Sequence, residues 1–370
     1  MPMSAEGPAT AGASAGPKVA TMVSAGADMS CAAMADGSVW CWGSNERGQL
    51  GNGSKTTSWV PVRVKAISSA VAVSAGGTWN SGGKGAALSA FACAVLRNGA
   101  VVCWGDQFDN AEHSTPHTIS GVRSAVAIAC GNGHACALTS SGSVLCWGAN
   151  DSGQLGLGDS PTCRESICPA SAPVGGIAGA TAIAGQGSNF SCAVLADGSV
   201  WCWGAYQGGT DFRASMNATS PVRVSGVSAS ARGLAAGRSD TCIVSRDGEL
   251  QCWGLDYPNA EPVSVPGLRA APMAVSAGEG TACALLGDHT VQCWGEGRRG
   301  QLGNDSYVSS QVPVDVKELS DAVAISVGYL HACAVTKAGN VRCWGANDGG
   351  LGYGAPTAGD VSRPVTVMGL

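Results

Sequence analysis

The chain has 370 residues and a formal net charge of −5, with 13% charged side chains, 55 glycines and 17 cysteines. No run of Lys or Arg is present, which argues against a nucleic-acid surface, since such a surface needs clustered positive charge to displace counterions. No apolar stretch approaches the ~20 residues that span a bilayer, and nothing cationic is grouped to hold an anionic membrane surface.

Residues 1–17, MPMSAEGPATAGASAGP, read as a flexible Ala/Gly/Ser/Pro tether without the basic and apolar regions of an export signal. Residues 18–370 read as one repeat domain. Its organising stretch is CAAMADGSVWCWG from Cys31, which recurs in altered form from Cys93, Cys136, Cys192, Cys242, Cys283 and Cys333. In every copy two cysteines stand ten positions apart, on either side of a turn such as Asp-Gly, Asn-Gly or Ser-Gly.

Two short β-rich runs around such a turn predict a β-hairpin. A three-residue loop, Ala35-Asp36-Gly37 in the first copy, puts glycine where the backbone turns left-handed. Met34 then faces Ser38, and Cys31 falls directly opposite Cys41. Such a non-hydrogen-bonded pair has Cα atoms ~4.5 Å apart, within reach of a disulfide. The same count pairs Cys93–Cys103, Cys136–Cys146, Cys192–Cys202, Cys242–Cys252, Cys283–Cys293 and Cys333–Cys343. Each bridge is expected to contribute about 2.5–3 kcal/mol, as an upper guide. The sixth turn has His289 in place of glycine and should be the most strained. Structural zinc is the weaker alternative, because it wants four converging ligands and each hairpin offers two facing thiols. Reduced thiols in a cytosolic protein are the other. Sixteen paired cysteines point to an oxidising compartment: extracellular, periplasmic or cell surface.

A small-residue run ending in glycine precedes each hairpin, at Gly26, Gly76, Gly131, Gly187, Gly237, Gly278 and Gly328. A Pro-led strand follows each, from Pro61, Pro116, Pro173, Pro221, Pro262, Pro313 and Pro364. Four strands per unit, seven times, predict an all-β, seven-bladed propeller with one disulfide per blade. Small residues suit its crowded innermost strands, and proline suits an edge. An open solenoid would need atypical end units, which are missing, so the ring is expected to close, with N- and C-terminal strands sharing one blade.

The run GHACALTSSGSVLCWGANDSGQLGLGD from Gly133 resembles the repeat of the regulator of chromosome condensation family. GQLG returns at Gly48 and Gly300, and as GGLG at Gly349, so the resemblance spans about Val19 to Leu370. It implies a seven-bladed propeller and much less about activity. The family's founding nucleotide-exchange and chromatin role implies a basic tail and an exchange wedge that have no match here. The Gly-Trp-Arg-His-Thr motif of its plant ultraviolet-B receptor is also missing. The cysteine-rich CWG variant most resembles exported bacterial members, whose general role is binding.

The tryptophans after the second cysteines (Trp42, Trp104, Trp147, Trp203, Trp253, Trp294, Trp344) recur at equivalent sites and read as packing between blades. His134 and His331 fill two of seven equivalent slots and read as structural hydrogen-bonders. Asp36, Asp197 and Asp247 read as turn residues. No catalytic, cofactor or metal constellation emerges, so the chain is not expected to be an enzyme. The glycosylation sequons at Asn52, Asn217 and Asn304 would matter only in a glycosylating host.

Departures from the repeat carry more information. Strand order puts the first-to-second and third-to-fourth loops on one end of the ring, and hairpin tips on the other. Insertions Gly77–Ala90 and Ser160–Ala170, and replacement of GQLG in units two, four and five, all fall on that first end. So do Trp79, Phe108, Tyr206, Phe212 and Tyr257, which are expected to contact a protein partner. Cys163–Cys168 should staple the second insertion, leaving Cys130 as a buried thiol. Binding another protein is the leading expectation. The alternatives are a self-assembling surface or fibre subunit, and a β-lactamase-inhibitor-like or carbohydrate-binding module.

Overall fold

A hairpin with a glycine-closed turn, stapled across its middle, is the unit from which the molecule is assembled. The computed structural model describes residues 18–79, 87–106, 112–158, 173–206, 216–227, 230–238, 240–254, 261–354 and 359–370. In the first unit Met34 N–H donates to the Ser38 carbonyl at 2.9 Å, and Gly37 has φ 81°. Cys31 therefore faces Cys41, with Cα atoms 4.1 Å apart. The other six pairs repeat this at 4.0–4.1 Å, so all seven hairpin disulfides form. His289 adopts φ 66°, the only one of the seven turns to force a side chain into that region. The proposed Cys163–Cys168 bridge and the 1–17 tether lie outside the described residues.

Each unit forms one sheet in simple up-down order. Blade one is β1 (Ala20–Ala25), β2 (Met29–Met34), β3 (Val39–Gly43) and β4 (Ser58–Arg63). Blade two is β5 (Ala70–Trp79), β6 (Ala87–Leu96), β7 (Val101–Asp106) and β8 (Glu112–Thr118). Blade three has β9 (Ala125–Cys130), β10 (His134–Thr139) and β11 (Val144–Gly148). Its outer strand is reduced, among the described residues, to a single bridge between Leu145 and Pro173. Blade four is β12 (Ala180–Ala184), β13 (Phe190–Leu195), β14 (Val200–Tyr206) and β15 (Met216–Arg223). Blade five is β16 (Ala231–Ala236), β17 (Asp240–Ser245), β18 (Leu250–Gly254) and the two-residue β19 (Val263–Ser264). Blade six is β20 (Pro272–Ala277), β21 (Thr281–Leu286), β22 (Val291–Gly295) and β23 (Ser310–Asp315). Blade seven is β24 (Ala322–Val327), β25 (His331–Thr336), β26 (Val341–Gly345) and β27 (Val361–Thr366). Among the described residues no helix is long and apolar enough to cross a membrane.

The core is distributed rather than central. Seven apolar clusters each join two neighbouring blades, such as Cys31, Leu50, Val64 and Val73 with Trp104 between blades one and two. The innermost strands crowd around the axis so closely that a Cβ on several of their terminal glycines would run into the next blade's backbone. A Cβ on Gly278 would overlap the Gly328 carbonyl oxygen, and one on Gly76 would lie 2.6 Å from that of Gly131.

Two expectations are corrected. The ends of the chain do not share a blade: β1 and β27 belong to different sheets, so each blade is one continuous stretch. Unit one already begins with an inner strand and unit seven ends with an outer one, leaving no gap for the other terminus to fill. The ring closes through ordinary inter-blade contacts, with Ala20 N–H donating to Gly339 O at 2.9 Å as Ala70 does to Gly37 O. Lys18 adds a bond from Nζ to Gly369 O at 2.6 Å and lies 3.5 Å over the Trp40 ring. The second correction concerns outer strands. In β4, β15, β23 and β27 they start upstream of their prolines, because Pro sits inside an irregularity of the ladder. Cys41 faces Val62 while Gly43 faces Ser58, so Pro61 lies where no ladder N–H is required.

Candidate binding face

The end of the ring opposite the hairpin tips, here the loop end, is where the blades cease to be alike. In blades one, three, six and seven the segment after the third strand folds back between blades as a wedge. Leu50, Leu155, Leu302 and Leu351 of these wedges are wholly buried. Asn45 shapes the first wedge: its Oδ1 accepts from Leu50 N–H at 2.9 Å, and Gly48 N–H donates to its carbonyl at 3.0 Å. Three of the four wedges then cap the tryptophan of the next blade, while Trp203, packed on the wedge of blade three, has its Nε1 without a hydrogen-bond partner. Trp104 Nε1 donates to Gln49 O at 2.9 Å, Trp344 to Gln301 O at 2.9 Å and Trp42 to Gly350 O at 2.7 Å. GQLG is thus inter-blade packing, and the tryptophans are its partners.

The two histidines belong to the same interfaces. Ser30 Oγ spends its only hydrogen on Gly350 O at 2.9 Å, so it accepts from His331 Nε2–H at 2.8 Å. His134 and Ser191 repeat the contact at 2.8 Å. Burial drives both imidazoles down to about 4, and they stay neutral. The turn acids are equally local: Asp36 Oδ1 accepts from Ser38 N at 2.8 Å and Oγ at 2.6 Å, which lowers its pKa. Cys130 is a buried free thiol on β9, pushed up to about 12 by burial. Among the described residues no group of three or more His, Cys, Asp or Glu is placed to hold a metal ion.

Where GQLG is replaced, strands lengthen instead. In blade four β14 and β15 keep pairing to Tyr206↔Met216, and in blade two β7 and β8 pair to Asp106↔Glu112. The described flanks of the 77–90 insertion extend their strands: β5 and β6 continue through Gly77↔Ala90 and Thr78↔Ser89 to Trp79↔Ala87, and residues 80–86 lie outside the described residues. A ladder once started lengthens readily when nothing folds back beside it. Trp79 and Tyr206 therefore close extended strands on the same end of the ring, two blades apart. Phe108, Phe212 and Tyr257 lie outside the described residues.

At the axis the loop end opens into a shallow recess floored by Ala25, Ala75, Val327 and the inner-strand glycines. Blades four to seven give it a polar rim that sequence reasoning missed. Blade four has one residue more between inner strand and hairpin than blade three, shown by Ala184↔Cys192 against Ala129↔Cys136. The extra residue lets the Gln186 amide reach across to the Ala25 carbonyl of blade one. Arg238 Nη1 meets Glu279 Oε1 at 2.6 Å and donates to Tyr329 OH at 2.9 Å, joining blades five, six and seven. In sequence Gln186 follows Gly185, and Arg238, Glu279 and Tyr329 follow Gly237, Gly278 and Gly328, as variable positions that nothing but the ring makes neighbours.

Asp28 is the other missed residue. It lies beneath the seam between blades seven and one, 1% exposed, with neither carboxylate oxygen in hydrogen-bonding geometry with a partner. Burial raises its pKa to about 6, with Glu46 and Asp348 adding to the rise and the Ser44 side chain opposing it.

The regulator of chromosome condensation (RCC1) repeat matches residues 22–80, 125–154, 181–205 and 274–350, more than half of the chain. The chain belongs to the RCC1 repeat family. Its fold is similar to that of human WBSCR16, at 22% identity and a TM-score of 0.72, over 86% of this chain and 87% of that one. It is also similar to yeast RCC1 (Prp20) in complex with Kap60, at 22% identity and 0.67, over 83% and 77%. The ectodomain of the Physcomitrella patens receptor kinase CR4 is a third, at 20% and 0.53, over 89% and 74%. At these identities the likeness is one of fold. Relative to the repeat, the wedge, the capped tryptophan and the inner glycine are the framework. The extended strands and the axial rim depart from this chain's own repeat.

Proposed function

We propose that this RCC1-family propeller is a non-enzymatic, exported protein that binds another protein through its loop end. The observation that carries the reading is the concentration of irregularity on that one end, where β5–β6, β7–β8 and β14–β15 extend beyond the repeat. Extended strands and the polar axial rim offer a partner backbone edges and hydrogen-bonding groups on a rigid frame. The complex of yeast RCC1 with Kap60 supports protein binding as the class of function for such a ring. Seven buried disulfides support an oxidising compartment, since cytosolic thiols are kept reduced.

The test is affinity cross-linking on extracellular material from the source organism, with wild type beside Trp79→Ala and Tyr206→Ala. A specific partner captured by wild type and lost with either variant, at unchanged melting temperature, is the expected result. Capture that ignores both changes overturns the assignment of the face. A non-reducing peptide map tests the compartment: bridged pairs within each hairpin are expected, and free thiols in native material would move the search to cytosolic partners.

A further inference from the structure

The molecule has two different ends, and they complement one another. We infer that the ring stacks head to tail, the hairpin-tip end of one copy receiving the loop end of the next. This rests on the reading of the loop end as a protein-binding face and names its partner as a second copy of this chain.

The tip end carries an apolar collar. The second residue of each inner strand sits at a register shift, as between Ala70 and Ala72 in β5, and its side chain is left outside the blade interfaces. Val71, Val126, Met273 and Val323 occupy that position in four blades and are 41–51% exposed. They border one opening of the axial channel, where a solvent-facing position would ordinarily be polar. Thr21, Thr181 and Arg232 hold the other three positions. The apolar positions therefore form two arcs, over blades six and seven and over blades two and three, on an end with no described element over them, and such surface gains by being covered.

Charge indicates what covers it. Among the described residues, basic side chains outnumber acidic ones at the tip end, with Arg97, Arg123, Arg223, Arg246 and Lys337 all exposed. The acids there are fewer: Asp36, Asp197, Asp247 and Asp288 sit in the hairpin turns, and of Glu249, Asp315, Glu318 and Asp321 two are ion-paired, Asp315 with Arg269 and Glu318 with Arg363. At the loop end the balance reverses. Glu46, Asp151 and Glu261 are exposed, Arg238 is matched by Glu279, Arg298 by Glu296 and Arg299 by Asp348 and Asp360, which leaves the exposed Lys55 outnumbered. Two copies meeting by like ends would set like charge against like. Head-to-tail contact sets opposite charges together, and being heterologous it does not close.

Shape agrees with charge. The β5–β6 ladder rises past the ring only at the loop end, on the innermost strand of its blade and so beside the axis. In a coaxial stack it stands over the collar of the next copy. One end projects where the other has an apolar opening.

Sedimentation velocity on the oxidised full chain, over a wide concentration range, tests this at about 0.02 M and about 0.5 M salt, where screening lengths differ several-fold. Species beyond the dimer, growing with concentration at low salt and dispersing at high salt, are expected. Arg97→Glu/Arg123→Glu/Lys337→Glu, and separately Val126→Ser/Met273→Ser, should abolish growth while leaving melting unchanged. The charge-reversed protein still offers an intact loop end, so adding it to wild type should shorten the stacks by capping them. A monomer at every concentration in low salt overturns the inference, as does assembly that stops at a dimer or variants that assemble like wild type. A monomeric wild type that still captures a Trp79-dependent partner would sink self-stacking alone. Loss of both would sink the binding face as well.

Discussion

Asp28 and the two buried histidines show how single residues set the acid–base behaviour of this ring. The Asp28 pKa rises from 3.8 to about 6, so the folded state favours the protonated form. Its contribution is complete below the unfolded value and is lost as pH rises through 6, leaving an uncompensated buried charge at neutral pH. Replacing it by Asn should therefore stabilise the protein by about 3 kcal/mol at pH 7.5 and do little at pH 4. Urea midpoints at the two values check this, and equal effects at both would refute it. His134 and His331 work in the opposite sense. Their folded values fall to about 4, so their stabilisation is present above 6.5 and is lost as pH drops towards 4. Each is worth about 3 kcal/mol across that window. In the Asp28→Asn background, where the opposing titration is gone, denaturant stability should decline steadily from pH 6.5 to 4. A flat profile would mean the imidazoles are hydrated.

At the scale of the element, tight approach and turn geometry decide which glycines matter. Gly278 and Gly175 look alike in sequence, yet a Cβ on Gly278 meets the next blade's backbone and one on Gly175 has nothing within 4 Å. Gly278→Ala should cost about 3 kcal/mol, because backbone cannot yield as a side chain would. Gly175→Ala should be neutral or stabilise by up to about 1 kcal/mol through the unfolded state. Thermal melts of the two, run together, separate these outcomes. The wedge has a similar test. Leu302 is wholly buried among Cys283, Val316 and Trp344, and Leu302→Ala should cost about 2–5 kcal/mol. A loss under 1 kcal/mol would show that GQLG is a surface loop after all.

For the whole molecule, the seam between blades seven and one repeats the bonds of the other interfaces. Ala25 N–H donates to Ser326 Oγ at 2.9 Å as Ala75 N–H does to Ser24 Oγ at 2.9 Å, and Trp42 is capped as Trp104 is. No strand is exchanged, so the position of the chain break should matter little. A circular permutant opened between Ser120 and Gly121, with the present ends joined by a short linker from Lys18 to Leu370, should fold and melt cooperatively within a few degrees of the parent. Two separate transitions would show that the seam is weaker than the interfaces it copies.

Much of this protein is determined by sequence alone, because a seven-fold repeat states its own register. Ten-residue cysteine spacing around a glycine turn leaves one pairing in which the thiols face each other, and all seven hairpins adopt it. The tryptophans and histidines were legible as structural for the same reason: a residue recurring at equivalent positions meets an equivalent neighbour. What recurrence does not encode is the neighbour's identity. Gln49 capping Trp104, and Leu50 filling the wedge, depend on which blade lies alongside. Ring closure without a shared blade followed from side-to-side packing that no single unit displays. The axial rim was beyond reach for a stronger reason. Gln186, Arg238, Glu279 and Tyr329 are scattered over more than a hundred residues, and only closure about an axis brings them to one opening. The same geometry sorts charges that are dispersed along the chain into two unlike ends. Local spacing dictates a blade; the ring alone dictates what the blades present together.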